Sequence, residues 1–169
     1  HIAVVLQDVF LFADTIENNI SLGNSEVSLS EIEAAAKEIG VHDFIESLPG
    51  GYQFNVKERG GMLSSGQRQL IAFLRAYVTK PSILVLDEAT SSIDSASEQL
   101  IQKATDTITK GRTSIVIAHR LATIQKASNI LVMDAGVIVE QGTHEALLKK
   151  GGYYKNLYEA QFLSVAVVE

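Results

Sequence analysis

The sequence predicts an α/β fold built on a mostly parallel sheet. Two short apolar runs, at 83–86 and 113–118, have the length and the branched residues of buried strands. Polar residues end each run abruptly, with Asp87 and Glu88 after the first and His119 after the second. Because open α/β sheets bind ligands at the carboxyl ends of their strands, these residues are candidates for a functional site.

The other elements follow from apolar periodicity and from capping signals. Ser30 and Glu33 have capping-box spacing and Gly40 provides a stop, while Ser95 and Glu98 specify the helix after the acids. In chain order we expect a strand at 1–6, helices at 14–22, 30–40, 41–48 and 64–80, the strand at 83–86, a helix from 95, the strand at 113–118, a hairpin of 129–133 with 137–141, and helices at 143–150 and 153–161. The apolar tail at 163–168 has no assigned place.

The adjacent acids Asp87 and Glu88 suit metal and water chemistry. Successive residues of a strand point to opposite sides, so one carboxylate can hold a metal while the other faces a water. An acidic turn that caps the next helix explains this run equally well on its own, since short motifs often match by chance.

The residues Leu-Ser-Ser-Gly-Gln-Arg-Gln at 63–69 open a predicted helix. A hydroxyl at Ser64 and a glycine at Gly66 leave backbone N–H groups accessible at the positive end of the helix, which favours a phosphate. The alternative is an ordinary serine N-cap with a tight entry. Further along this helix, one face is formed by Leu70, Phe73, Leu74 and Tyr77, and we expect this face to pack in the core.

Composition excludes several classes of protein. The net charge is −6 and no Lys/Arg cluster occurs, so we expect no nucleic-acid partner. Without cysteine there is no disulfide framework, cysteine zinc site or thiol chemistry. No apolar run reaches the roughly 18 residues that a membrane-spanning helix requires.

The ordered set Gln7, 63–67, 86–88, 91–94 and His119 resembles the nucleotide-binding domain of an ABC transporter. The resemblance extends from about residue 2 to about residue 162. Three segments resemble the exporter branch of that family. They are 7–12 (Gln-Asp-Val-Phe-Leu-Phe), 15–20 (Thr-Ile-Glu-Asn-Asn-Ile) and 117–121 (Ile-Ala-His-Arg-Leu).

The resemblance implies ATP and Mg²⁺ as cofactors and ATP hydrolysis coupled to export as the activity. Asp87 would hold the Mg²⁺, directly or through a water, and Gln7 would sense the ion and the γ-phosphate. Glu88 would act as general base or water orienter, and His119 would contact the γ-phosphate. The nucleotide of a partner domain would be contacted by Ser64, Ser65, Gly66 and Gln67, and the contact between protomers would involve Ser92 and Asp94.

The resemblance also implies a P-loop NTPase-like core combined with a helical subdomain. Residues 1–13 would be the strand and loop that carry Gln7, residues 14–80 the helical subdomain, and residues 81–169 the catalytic core. No glycine-rich phosphate loop ending in Gly-Lys-Ser/Thr occurs in the chain. We therefore expect a carboxyl-terminal fragment that lacks the amino-terminal part of the core, and that is inactive by itself with at best millimolar affinity for ATP. The missing strand would lie beside the strand that ends at His119, so its loss would expose or misalign a sheet edge.

The expected partners are a second nucleotide-binding domain, identical or different, and a transmembrane domain, with this domain at the cytoplasmic face of the cell membrane. A soluble ABC-type ATPase and a non-catalytic regulatory domain are the alternatives. Two departures from the family pattern occur. Ser65 replaces a usual glycine, and Asn55 and Lys57 replace the usual acid and glycine in the loop through which exporters contact the membrane domain.

Overall fold

The computed structural model describes residues 2–87 and 95–160. These residues form two compact units, and the chain passes from one to the other after Ile117. The first unit contains strands β1 (Ile2–Val5), β2 (Ile83–Asp87) and β3 (Thr113–Ile117) and helices α1 (Ile16–Ser21), α2 (Leu29–Ile39), α3 (His42–Glu46), α4 (Ser65–Val78) and α5 (Ser95–Thr109). The second unit contains strands β4 (Ile130–Asp134) and β5 (Val137–Gly142) and helices α6 (Leu121–Lys126), α7 (His144–Lys150) and α8 (Tyr153–Tyr158).

The first unit is built around a parallel sheet with the strand order β1-β2-β3, which confirms the predicted fold class. In its register Val5 lies opposite Leu86, and Asp87 lies opposite Ile117. Consecutive strands are connected by helical segments, as parallel strands require. All three strands therefore end at the same edge of the sheet.

Within residues 2–87 and 95–160, one face of this sheet is buried and the other is partly exposed, whereas the apolar runs favour strands that are covered on both faces. Val5, Leu84 and Leu86 are at most 2% exposed and belong to the core that includes residues of α4 and α5. On the other face, Ile115 and Ile117 of β3 are 57% and 53% exposed. Apolar composition shows that a strand tolerates burial, whereas its actual burial depends on what packs against it.

Helix α2 begins two residues earlier than predicted. Its capping box joins Ser28 and Glu31 rather than Ser30 and Glu33. Both pairs have the same spacing, and the earlier pair adds Leu29 and Ser30 to the helix. The predicted stop is confirmed, because Gly40 ends the helix with a φ of +83°.

Helix α4 has the predicted packing face. Phe73 is 1% exposed, Leu74 is fully buried, and Leu70 is 1% exposed. They pack with residues of α1, α2 and α5 in the larger core. This packing anchors the helix along most of its length and leaves its amino-terminal end at the surface.

The second unit contains the predicted hairpin. Strands β4 and β5 pair antiparallel across Ala135 and Gly136, whose φ angles of +47° and +80° fit a tight two-residue turn. Its small core is formed by Val132, Leu147 and Tyr154. The tyrosine and leucine residues of α8 suggest a core position by their apolar character, but Tyr153 and Leu157 are both 54% exposed.

The predicted tail at 163–168 lies outside the described residues. The division into regions 1–13, 14–80 and 81–169 followed functional motifs, whereas the two units follow spatial contacts, so that division stays a prediction.

Candidate functional site

Gln7 and Asp87 lie at the same edge of the parallel sheet. Asp87 is the last residue of β2 and is partly exposed. Val5 ends β1 opposite Leu86, so Gln7, which is exposed, follows two residues beyond that edge. An amide and a carboxylate thus leave the carboxyl edge, where open α/β sheets bind ligands.

The structure describes only some of the other residues predicted for the site. His119 is exposed and follows β3 by two residues, and it belongs to the second unit. Glu88, Ser92 and Asp94 lie outside the described residues. The structure thus places Gln7 and Asp87 at one sheet edge, and the catalytic assignments of Glu88 and His119 stay predictions.

The amino-terminal end of α4 is closed by a complete capping box. The Ser64 hydroxyl accepts a hydrogen bond from the backbone N–H of Gln67 at 3.2 Å, and the Gln67 side-chain oxygen accepts one from the backbone N–H of Ser64 at 2.9 Å. Because the Ser64 oxygen acts here as an acceptor, its own proton remains available to a ligand. The backbone N–H groups of Ser65 and Gly66 lie in the first turn of α4, where the helix has no carbonyl group that could accept their hydrogen bonds.

This arrangement has the properties of an anion site. Ser64 is exposed, and the cap side chain Gln67 carries no charge that would oppose an anion. The positive end of α4 lies directly behind the two N–H groups. Ser64 and Ser65 can therefore offer donors to a phosphate, whereas Gly66 is buried and the oxygen of Gln67 is occupied by the cap.

The loop that precedes α4 has an unusual backbone. Lys57 and Arg59 have φ angles of +60° and +53°, and Gly60 has a φ of +68°. Such angles cost residues with a side chain on the order of 1 kcal/mol or more. A β-carbon on Gly60 would lie 2.9 Å from side-chain atoms of Leu11 and Arg68. The loop that resembles the membrane-contacting segment of exporters is thus both strained and closely packed.

A groove of about 610 Å³ lies in the first unit. It runs between β1 and the later turns of α4, and its walls are mainly apolar. Phe10 and Phe12 border it with rings 5.1 Å apart, and they are 55% and 54% exposed. An apolar groove of this kind does not suit a triphosphate, although Leu6 and Asp8, on either side of Gln7, belong to its lining.

The sequence interpretation missed two residues, Asn19 and Arg75, that bind the loop after Gln7. Asn19 is fully buried and lies between Ile16 and Ile20 on the apolar side of α1, and a polar residue in that position is a signal that the sequence does contain. Arg75 is 56 residues further along the chain, and no local pattern pairs the two.

Comparison with known proteins identifies the family. The family model described as ABC transporter matches residues 1–91, so the chain belongs to the ABC transporter family.

Relatives and solved structures agree with this assignment. An ATP-dependent lipid A-core flippase of Saccharophagus degradans is 52% identical over 162 residues, which are 96% of this chain and 28% of that protein. A probable multidrug resistance ABC transporter ATP-binding/permease protein of Bacillus subtilis is 48% identical over 161 residues, which are 95% of this chain and 24% of that protein. The structure of a bacterial Atm1-family ABC exporter with ATP bound superposes with a TM-score of 0.84 at 43% identity, covering 95% of this chain and 28% of that one.

The chain thus spans between about a quarter and 28% of the length of these relatives. Among residues 2–87 and 95–160, no helix combines the length and apolar character needed to span a bilayer. Within the same residues no group of three or more His, Asp or Glu side chains could hold a metal ion.

Proposed function

We propose that this chain is the ATP-binding and ATP-hydrolysing part of an ABC exporter. The observation that carries the proposal is the delivery of Gln7 and Asp87 to one edge of a parallel sheet. Membership in the ABC transporter family implies ATP binding, and it supplies the chemical context for this edge.

The residues at this edge fit a magnesium nucleotide. Mg²⁺ in nucleotide sites is held by one or two carboxylates together with phosphates and waters, rather than by a cage of protein ligands. Asp87 is a partly exposed carboxylate at a strand end, and Gln7 offers an exposed amide oxygen. Asp87 would hold the ion, with Gln7 as a second contact. When bound, Mg²⁺ neutralises charge that develops on the phosphates.

The roles of the remaining residues follow from the needs of phosphoryl transfer to water. Glu88 accepts the proton of the attacking water or orients that water, because hydrolysis needs a positioned nucleophile. His119 contacts the γ-phosphate. Gln7 positions the water and γ-phosphate through hydrogen bonds of its amide.

The amino-terminal end of α4 serves the nucleotide of a partner domain. Ser64 and Ser65 would donate hydrogen bonds to that nucleotide, while Gln67 fixes the cap that orients them. Ser92 and Asp94 would form part of the contact between the two domains. In such a pair ATP binds the closed state more tightly than the open state, because it contacts both domains only when they are closed. Hydrolysis removes this difference in affinity between the two states.

We infer that the partner is a second nucleotide-binding domain, identical or different, and that a transmembrane domain receives the motion at the cytoplasmic face of the membrane. The names of the relatives include lipid A-core flippase and multidrug resistance transporter. This chain carries no feature that selects between such substrates.

The test is the substitution Glu88→Gln in the complete gene product. Removing the general base while keeping the shape should lower the ATPase rate by about 10²–10⁴-fold. Equilibrium binding of ATP should persist, since the substitution removes a proton acceptor and not a phosphate contact. Glu98→Gln, on the exposed side of α5, is the matched control and should leave the rate unchanged. An unchanged rate in Glu88→Gln would favour the non-catalytic alternative.

A further inference from the structure

The loop after Gln7 is held by the buried side chain of Asn19. Its Oδ1 accepts a hydrogen bond from the backbone N–H of Phe12 at 2.8 Å, and its Nδ2 donates to the carbonyl oxygen of Phe12 at 3.0 Å. The same Nδ2 donates to the carbonyl oxygen of Thr15 at 2.9 Å. The amide thus binds both backbone groups of one loop residue, much as a neighbouring strand would.

Arg75 of α4 completes this cluster from the other side. Its Nε donates to the carbonyl oxygen of Asn19 at 2.8 Å, and its Nη1 donates to the carbonyl oxygen of Phe10 at 3.2 Å. Asn19 lies in the last turn of α1, where carbonyl groups lack helical partners and a cation is favoured. Burial lowers the pKa of Arg75, and a guanidinium keeps its charge even so.

Together these contacts join two elements that the proposed mechanism uses, the Gln7 loop and α4, with α1 between them. Gln7 lies three residues before Phe10, and Phe10 is bonded to Arg75. Arg75 lies ten residues after Ser65 on one uninterrupted helix, which is about 15 Å at 1.5 Å per residue. The far end of that helix carries the anion site at Ser64. A packed helix transmits displacement along its axis because it is nearly incompressible.

We propose that Asn19 and Arg75 are positioning residues for ATP hydrolysis. They fix the Gln7 loop to α4, so that Gln7 and the Ser64 end of the helix move as one body when the nucleotide site closes. Neither residue touches the nucleotide in this mechanism. This inference rests on the proposed function, and it adds a mechanical link between the two ends of the site.

The first experiment is the substitution Arg75→Lys in the complete gene product. A lysine keeps the charge but lacks the planar fork that bonds Phe10 and Asn19 together. We expect kcat for ATP hydrolysis to fall about tenfold or more while KM for ATP changes less than about twofold, because positioning acts on the transition state. Arg112→Lys is the matched control. Arg112 lies over the Tyr77 ring at 5.2 Å, a contact that a lysine can also make, so this variant should keep the wild-type rate.

The second experiment tests whether Arg75 acts through Gln7. In Gln7→Ala the side chain that the cluster positions is gone, so adding Arg75→Lys should lower kcat less than twofold further. The inference would be overturned if Arg75→Lys lowered kcat by the same factor in Gln7→Ala as in wild type. It would also be overturned if Arg75→Lys and Arg112→Lys had the same kcat. The proposed function is tested by different results: it would be wrong if the wild-type protein did not hydrolyse ATP, or if hydrolysis did not depend on Glu88.

Hydrogen exchange by mass spectrometry distinguishes positioning from general stability. Arg75→Lys should raise exchange in peptides that cover 8–14 and leave α2 and α5 at wild-type protection. Asn19→Asp keeps the acceptor for Phe12 and loses the donor, and it should have the same signature. Its control is Asn24→Asp, because the exposed Asn24 side chain only accepts a hydrogen bond from the backbone N–H of Glu26, and an aspartate can still accept it. Loss of folding in both Arg75→Lys and Asn19→Asp would assign the cluster to stability alone and overturn the inference.

Discussion

Helices α2 and α4 begin with the same geometry but with different electrostatics. In both, a serine hydroxyl accepts the N–H of the residue three positions later, and that residue's side chain accepts the serine N–H. In α2 the second partner is the carboxylate of Glu31, and in α4 it is the neutral amide of Gln67. The carboxylate compensates the positive end of α2, whereas the end of α4 keeps its positive potential.

The difference shows how one structural motif serves two purposes. A capping box with glutamate is complete in itself, because it satisfies the donors and neutralises the dipole. A capping box with glutamine satisfies the same donors and leaves an attraction for an outside anion. Gly66 follows Ser65 at this end and is itself buried, so the exposed donor of this helix start is Ser64. The first is a helix start, and the second is a helix start that can also bind phosphate.

Giving α4 the cap of α2 should have the largest effect. Gln67→Glu places a carboxylate beside the proposed phosphate site, so ATP hydrolysis by the complete gene product should fall more than about tenfold, through repulsion of the nucleotide. Thermal stability should stay equal or rise slightly, since glutamate is the preferred residue at this capping position. Steady-state ATPase assays and melting curves measure both. The reciprocal change Glu31→Gln should leave hydrolysis unchanged. A Gln67→Glu protein with the wild-type rate would remove α4 from the nucleotide site.

Removing each cap serine should separate stability from function. Ser28→Ala and Ser64→Ala should each lower the free energy of unfolding by about 1 kcal/mol, because each loses an N-cap acceptor. Urea titration of this chain measures that cost. Only Ser64→Ala should also lower ATP hydrolysis. If both substitutions slowed hydrolysis to the same extent, the loss would come from stability and not from a nucleotide contact.

The smallest expected effect is a pH dependence confined to α2. The backbone N–H of Ser28, followed by its hydroxyl, holds the pKa of Glu31 below its ordinary value of 4.5. A lowered carboxylate pKa stabilises the folded state above about pH 4.5, and this contribution disappears as the pH falls through the lowered pKa, because the unfolded chain binds the proton first. The melting-temperature difference between wild type and Glu31→Gln should therefore shrink from pH 6 to about pH 3. A constant difference would mean that the carboxylate does not act through its charge. Gln67 does not titrate, so the cap of α4 should contribute the same stability at every pH in this range.

Local sequence patterns predicted much of the fold. The apolar runs that end in Asp87 and His119 located β2 and β3, and the Asp134 to Gly136 turn signal located the hairpin. The pattern also predicted that Asp87 lies at the carboxyl edge of the sheet, whereas Gln7 was assigned to the site only through the resemblance to the ABC transporter family. The inferences from local patterns needed only residues that are close in sequence and a rule for how strands associate.

Features that depend on distant residues could not be predicted. Ser28 and Ser30 offer the same capping pattern, and only the packing of the whole helix selects Ser28. Burial of β3 depends on the layers beside it, which its own residues do not specify. The pairing of Asn19 with Arg75 joins residues 56 positions apart. In each case a tertiary contact decides between local alternatives of similar energy.

Among the residues that the structure describes, the exposed apolar side chains of the parallel sheet have a practical consequence for work with this chain in solution. Ile2, Val4, Ile115 and Ile117 present a row of branched side chains to water, each more than half exposed. Contiguous apolar surface of this kind drives self-association in proportion to its area, at roughly 25 cal/mol per Å² removed from water. Light scattering over a range of protein concentrations should therefore accompany every ligand titration, so that clustering of the chain is not mistaken for occupancy of its nucleotide site.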